Sequence, residues 1–173
     1  LGTVEVETTV IGYRRFDTIT REQLGIHELD LPSSKLVTRA FWYIIEDHIT
    51  SAAGMGHDQL PGALHAAEHA GIGILPLFAI CDRWDVGGVS TPYLTETGAA
   101  TIVIHDAYPG GAGMAELGFA AADRHLHATL EVIQSCECES GCPSCIQSPK
   151  CGNGNEPLDK AAAIELLRAM LCV

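Results

Sequence analysis

The sequence predicts a mixed α/β (α+β) fold in a single domain spanning residues 1–173. The chain has 173 residues, which is long enough to bury one core, and 47% of them are hydrophobic while only 18% are charged. The order of patterns along the chain supports this fold class. It is strand-rich over 1–50, helix-rich over 57–135, cysteine-rich over 136–151, and closes with a helix over 157–172.

The N-terminal third predicts three strands. Residues 4–11 alternate apolar and polar side chains with a period of two. Residues 26–31 form a second short segment that stops at Pro32, and residues 36–45 are rich in β-branched and aromatic side chains. Because the connections are short, the three segments predict an antiparallel meander.

The middle of the chain predicts helices around one buried strand. Residues 58–70 carry apolar side chains at helical spacing, with Pro61 in the first turn, and residues 72–80 either extend this helix or begin another. Residues 100–106 are almost all apolar, which favours a strand covered on both faces. Residues 114–135 predict one long helix.

The cysteine-rich segment is the strongest functional signal. Five of the seven cysteines lie within sixteen residues, and Cys136, Cys138, Cys142 and Cys145 are separated by short turns. Four thiolates at such spacing are the ligand set of a structural zinc site, in which the protein supplies all four ligands. Cys151 is the alternative ligand, and an iron–sulfur cluster would also accept four cysteines. The segment therefore predicts a bound metal, zinc before iron, that contributes to folding.

A second candidate site lies on the helix predicted over residues 58–70. His65, Glu68 and His69 occupy positions i, i+3 and i+4 and therefore share one helix face. They match the H-x-x-E-H pattern of zinc peptidases, in which two histidines bind zinc and the glutamate activates water. The sequence offers no evident third ligand, so a polar helix face with internal hydrogen bonds is favoured. A metal-dependent hydrolase that uses this face, with Asp82 or His105, is the alternative function.

Two further patterns have a structural and a functional interpretation. Asp82 and Asp85 lie beside a glycine turn and, with His105 and Asp106, would form a divalent-metal pocket, but carboxylates more often cap loops. The glycines of residues 110–113 would cradle an anion before a helix. Their spacing lacks a nucleotide-binding fingerprint, so a turn that requires positive φ is favoured.

Charge and cysteine usage limit the environment and the partners. The net charge of −12 disfavours a broad basic surface for nucleic acid, and Arg14–Arg15 is the one adjacent basic pair. Cys81 and Cys172 sit in apolar surroundings and predict buried free thiols, which indicates a reducing, cytoplasmic location. We expect no secretory signal and no membrane span, since the longest apolar run is short. The first residue is not Met, which suggests a fragment of a longer protein.

Four stretches taken together resemble the zinc-binding C-terminal domain of DEAD/DEAH-box superfamily 2 helicases of the mitomycin repair factor A type. These stretches are residues 64–70, 81–88, 108–116 and 136–145. The resemblance implies an accessory domain of an ATP-driven 3′ to 5′ helicase in bacterial DNA repair. It also implies zinc on Cys136, Cys138, Cys142 and Cys145, with Cys151 outside this set.

The same resemblance implies the partners. They are the helicase core of the same polypeptide and, mainly through that core, DNA. The tail beginning at Gly152 most resembles actinobacterial, including mycobacterial, members. The chain contains no Walker A lysine, DEAH box or helicase arginine motif, so by itself it should neither hydrolyse ATP nor unwind DNA.

Overall fold

The computed structural model describes residues 1–172, with six strands and five α-helices in that range. The strands are β1 (Gly2–Thr8), β2 (Gly12–Phe16), β3 (Gln23–Glu28), β4 (Ser34–Ile45), β5 (Val86–Leu94) and β6 (Ala99–Asp106). The helices are α1 (Asp47–Ala52), α2 (Leu60–Ile74), α3 (Met114–Ala120), α4 (Ala122–Ser135) and α5 (Lys160–Leu171), with one 3-10 turn at Leu75–Leu77. The mixed α+β class is confirmed.

The central sheet has the strand order β1-β4-β6-β5 and is antiparallel throughout. The predicted meander is wrong, because β2 and β3 pair only with each other in a separate two-stranded sheet. β4 is long and apolar enough to pair with β1 on one side and β6 on the other, with Ala40 opposite both Gly2 and His105. The short hairpin strands carry mostly exposed side chains.

The helical region differs from the prediction at two places. Residues 57–135 also contain β5, whose strand signal is weakened by its two glycines and Pro92. The helix predicted over residues 114–135 breaks at Ala121, which leaves helical geometry with φ −103° and ψ 10°. The break lets α3 pack on β4 and β6 while α4 packs on α2 and α5.

Other expectations hold. Pro61 lies in the first turn of α2. Of residues 72–80, only those up to Ile74 extend that helix, and Leu75–Leu77 form a 3-10 turn. β6 is buried along most of its length, as its apolar sequence predicts. The C-terminal helix begins at Lys160, where the Asp159 side chain accepts a hydrogen bond from the Ala162 amide.

The core lies between the sheet and the helices, with α2 contacting β5, β6, α4 and α5. One part of this core includes Ile45, Leu64, Ile146 and Leu166, so the segment after the cysteine cluster is anchored in it. The burial predicted for Cys172 is wrong, since this residue is exposed in the last turn of the chain, and Cys81 is half-buried. No helix within residues 1–172 has the length and apolar character needed to cross a membrane.

Candidate metal centre

Four sulfur atoms converge between the end of α4 and the start of α5. The Sγ atom of Cys136 lies 3.5 Å from those of Cys138 and Cys142, and the Sγ atom of Cys145 lies 3.5 Å from that of Cys138 and 3.8 Å from that of Cys142. Four thiolates at about 2.3 Å from one zinc ion have tetrahedral edges of about 3.8 Å. A disulfide would require about 2.05 Å. The cluster therefore fits one tetrahedral ion.

The same distances argue against a multi-iron cluster. In such a cluster the thiolates bind different iron atoms that bridging sulfides hold apart, so four sulfurs this close leave no room for it. The thiol chemistry and the geometry fit zinc.

Local backbone structure brings the cysteines together. α4 ends at Ser135, and Cys136 continues in an extended conformation. Gly141 has a φ of 111°, a conformation that favours glycine. The Cys142 carbonyl oxygen then accepts hydrogen bonds from the amides of Cys145 and Ile146, which closes the turn. Ile146 is fully buried, and so the turn is fixed to the core.

Electrostatics at the cluster favour a cation. The backbone amide of Ser144 lowers the pKa of the Cys142 thiol to about 6, towards the thiolate that a metal binds. Burial raises the pKa of the Cys145 thiol, which would hold a proton where a cation does not replace it. Metal binding substitutes for such protons.

Lys160 is a buried residue of this centre that the sequence analysis missed. Its ammonium donates hydrogen bonds to the carbonyl oxygens of Cys136 and Cys138, each 2.6 Å away, and lies 3.4 Å from the Cys138 sulfur. Burial alone would lower the pKa of Lys160, but the Cys138 sulfur and its neighbours outweigh burial and raise it. The sequence signal was a lysine in the first turn of the helix predicted over residues 157–172, where its charge opposes the helix dipole.

The second candidate face contains a different group from the one predicted. The structure brings together ligand atoms of His65, His69 and Cys151, all within 4.8 Å of one another. Cys151 thus lies apart from the four-sulfur cluster. The expectation that it is not a ligand of that cluster stays a prediction.

Glu68 does not join the two histidines. Its Oε2 atom accepts a hydrogen bond of 2.6 Å from the Ser90 hydroxyl, and burial raises its pKa. The Ser90 hydroxyl thus engages the carboxylate that the hydrolase alternative requires as the water-activating base, and this does not support that alternative.

Asp82 and Asp85 cap the loop before β5. The Asp82 carboxylate accepts from the Trp84 amide at 3.0 Å, and the Asp85 carboxylate accepts from the Asp82 amide at 2.7 Å. His105 is buried, and its Nδ1 atom bonds to the backbone carbonyl of Asp106 at 2.9 Å. Within residues 1–172 these side chains form no metal-binding group.

The backbone amides of the glycine loop after β6 bind a carboxylate of the chain itself. Gly110, Gly111 and Gly113 have positive φ, as the favoured interpretation required. The amides of Ala112, Gly113 and Ala115 donate to the buried carboxylate of Asp106. The cradle at the start of α3 is therefore filled by the chain's own side chain.

Comparison with known proteins agrees with this architecture. Residues 67–146 match the family model of the MrfA Zn-binding domain. An uncharacterized protein of Methanocaldococcus jannaschii is 40% identical over 111 residues, which cover 62% of this chain and 99% of that protein. The uncharacterized ATP-dependent helicase YprA of Bacillus subtilis is 34% identical over 145 residues, which cover 84% of this chain and 19% of that helicase.

A solved structure shows the same fold. The helicase MrfA bound to DNA superposes with a TM-score of 0.69 at 31% identity, over 98% of this chain and 22% of that chain. The chain thus spans about a fifth of the length of these helicases.

The fold and the four-cysteine cluster together define a small α+β zinc-binding domain. The chain belongs to the MrfA Zn-binding domain family.

Proposed function

We propose that this chain is the zinc-stabilised C-terminal accessory domain of an ATP-dependent 3′ to 5′ superfamily 2 DNA helicase that works in DNA repair. The observation that carries the proposal is its similarity over 98% of its length to a fifth of the helicase MrfA, solved in complex with DNA. Zinc is held by Cys136, Cys138, Cys142 and Cys145, whose sulfurs form the tetrahedron described above.

The role of zinc in this proposal is structural. Four cysteines supply all the ligands of a tetrahedral ion and leave no position for substrate. The ion holds together the segment that directly follows α4. Lys160, at the start of α5, donates hydrogen bonds to the carbonyl oxygens of that segment and so links it to α5. The centre thereby stabilises the part of the domain in which α4 and α5 pack together.

Charge favours support of the helicase core over capture of DNA. The net charge of −12 repels a phosphate backbone. The domain therefore contributes to unwinding through the core of the same polypeptide, which provides the ATP site.

The hairpin of β2 and β3 supplies the contact surface for that core. Its apolar side chains are exposed, among them Ile19 at 89% and Ile26 at 63%. A two-stranded hairpin is marginally stable in water alone. About four-fifths of each helicase relative lies outside the matched segment, which supports the helicase core as the partner that covers this surface.

A chimera tests the accessory role. This chain replaces the matching fifth of YprA, and ATP hydrolysis and strand separation are measured. We expect the chimera to unwind DNA and the same chimera with Cys142→Ser to lose most unwinding. The matched control is Cys172→Ser, at an exposed cysteine that belongs neither to the four-cysteine cluster nor to the group of His65, His69 and Cys151. It should leave unwinding unchanged. The isolated chain should not hydrolyse ATP.

The outcomes that overturn the proposal are specific. Full unwinding by the Cys142→Ser chimera, or by YprA lacking the segment, removes the accessory role. ATP hydrolysis by the isolated chain would contradict the proposal that the helicase core provides the ATP site. For the hairpin, Ile26→Asp should reduce unwinding, whereas Leu77→Asp, at a 74% exposed residue on another element, should not. Equal effects of the two would reject the hairpin as the contact surface.

A further inference from the structure

A second group of metal-ligand side chains lies outside the four-cysteine cluster. His65 and His69 project from α2, and Cys151 comes from the loop that precedes α5. The Nε2 atom of His65 lies 3.4 Å from the Cys151 sulfur. A zinc ion bound to one imidazole and one thiolate has a tetrahedral N···S edge of about 3.6 Å, from bond lengths of about 2.0–2.1 and 2.3 Å.

Both imidazoles are oriented by carbonyl groups. The Nδ1 atom of His65 lies 2.9 Å from the Pro157 carbonyl oxygen, and that of His69 lies 2.8 Å from the Ile146 carbonyl oxygen. A carbonyl only accepts, so each Nδ1 carries a proton, and in the neutral imidazole Nε2 is the nitrogen that keeps the lone pair. This is the outer hydrogen bond that metal-binding histidines typically make.

The sulfur is oriented as well. The backbone amide of Asn155 donates a hydrogen bond to the Cys151 sulfur at 3.3 Å, which fixes the position of that sulfur. A simple thiol–imidazole hydrogen bond would account for His65 alone. Such a bond does not explain the position of His69. This residue is only 8% exposed, and its Nε2 atom forms no hydrogen bond within residues 1–172.

The group lies in the wall of a cavity of about 490 Å³. The lining includes all three side chains together with Glu68 and Ser90. Three protein ligands beside an open space are the arrangement of a zinc site that keeps one position free.

We propose that His65, His69 and Cys151 bind a second Zn²⁺ through Nε2, Nε2 and Sγ. The fourth position opens to the cavity and takes water. This site ties α2 to the loop between the four-cysteine cluster and α5, and it is independent of the proposed helicase role.

Zinc content tests the proposal. Purified chain saturated with Zn²⁺ and freed of excess is analysed for metal per chain. We expect two zinc ions, and one after His65→Ala or Cys151→Ser. His57→Ala and Cys172→Ser are matched controls at exposed residues outside the group and should keep two. Circular dichroism checks that each variant is folded, and anomalous scattering at the zinc edge should place a peak between the three ligand atoms.

Each other outcome is decisive. One zinc per chain that survives both His65→Ala and Cys151→Ser overturns the second site. One zinc that is lost with His65→Ala but kept with Cys142→Ser supports the second site and overturns the four-cysteine assignment instead. A variant that loses one zinc yet keeps its fold cannot be explained by a purely structural histidine pair.

Discussion

The Lys160 ammonium lies 2.6 Å from the carbonyl oxygen of Cys138 and 3.4 Å from the sulfur of the same residue. Four thiolates around Zn²⁺ carry a net charge of about −2, and burying such a charge without a partner is costly. Lys160 is itself only 8% exposed. The zinc-bound thiolates and the buried Lys160 ammonium therefore each supply the counter-charge that the other needs.

Replacing Lys160 by methionine should therefore weaken zinc binding about 10- to 100-fold, the usual effect of removing an outer partner of a metal site. Competition with a chromophoric chelator measures this. Lys35→Met, at a lysine that is exposed beside Glu5, is the control and should bind zinc normally. Unchanged affinity in Lys160→Met would show that the ammonium does not compensate the thiolates.

Zinc removal should unfold the cluster locally. The turn after Cys142 is closed by hydrogen bonds to one carbonyl and anchored by the buried Ile146, and the metal adds the bonds that join it to Cys136 and Cys138. After chelation, hydrogen exchange should accelerate over residues 136–151, whereas β4 and β6, at the centre of the sheet, should keep their protection. Equal acceleration in the sheet would indicate global unfolding, and unchanged exchange in the cluster would show that the metal is not needed there.

Asp106→Asn should destabilise the domain by about 1–3 kcal/mol, because an amide nitrogen would face backbone donors in a buried site. The carboxylate accepts from the amides of Gly113 and Ala115, and the side chain is fully buried. Urea denaturation measures the change. Asp123→Asn is the control at an exposed aspartate and should change stability by less than about 0.5 kcal/mol.

Two helical glycines should respond oppositely to alanine. A Cβ atom at Gly118 would lie 2.5 Å from Cε1 of Phe41, so Gly118→Ala should cost about 1–3 kcal/mol through overpacking. A Cβ atom at Gly73 would meet nothing within 4 Å, so Gly73→Ala should stabilise α2 by about 0.5–1 kcal/mol. Thermal melting distinguishes them. A neutral Gly118→Ala would mean that α3 shifts freely on β4.

Acidification should destabilise the domain partly through His125. Burial lowers the pKa of this histidine below its usual 6.5, while the Gly71 carbonyl opposes that effect. The unfolded chain then binds the proton more readily, so the stabilising contribution is complete above pH 6.5 and falls below it, by at most about 1.4 kcal/mol per pH unit. Denaturation at pH 7.5 and 5.5 measures the slope. His125→Gln should show a smaller loss over this interval, and an equal loss would exclude His125 as the cause.

Features with a local determinant were predictable from the sequence. Four cysteines separated by short turns converge because the intervening chain allows few other arrangements, and Pro61 marks the first turn of α2 through its own geometry. Asp82 and Asp85 cap a loop within three residues of themselves. Strand pairing was not predictable, because strands far apart in the sequence compete for the same partner. β4 pairs with β1 and β6, and the β2–β3 hairpin stays outside the sheet.

The sequence by itself determined the α+β class, the zinc cluster and the family resemblance, since these depend on composition, period and short spacing. Only the tertiary structure decided that Lys160 compensates the thiolates, that Asp106 fills the glycine cradle, and that Cys151 meets His65 rather than the other cysteines. The physical reason is that such contacts join residues up to 86 positions apart. Packing of α2 against β5, β6 and α5 brings the distant residues together, and no local pattern encodes that packing.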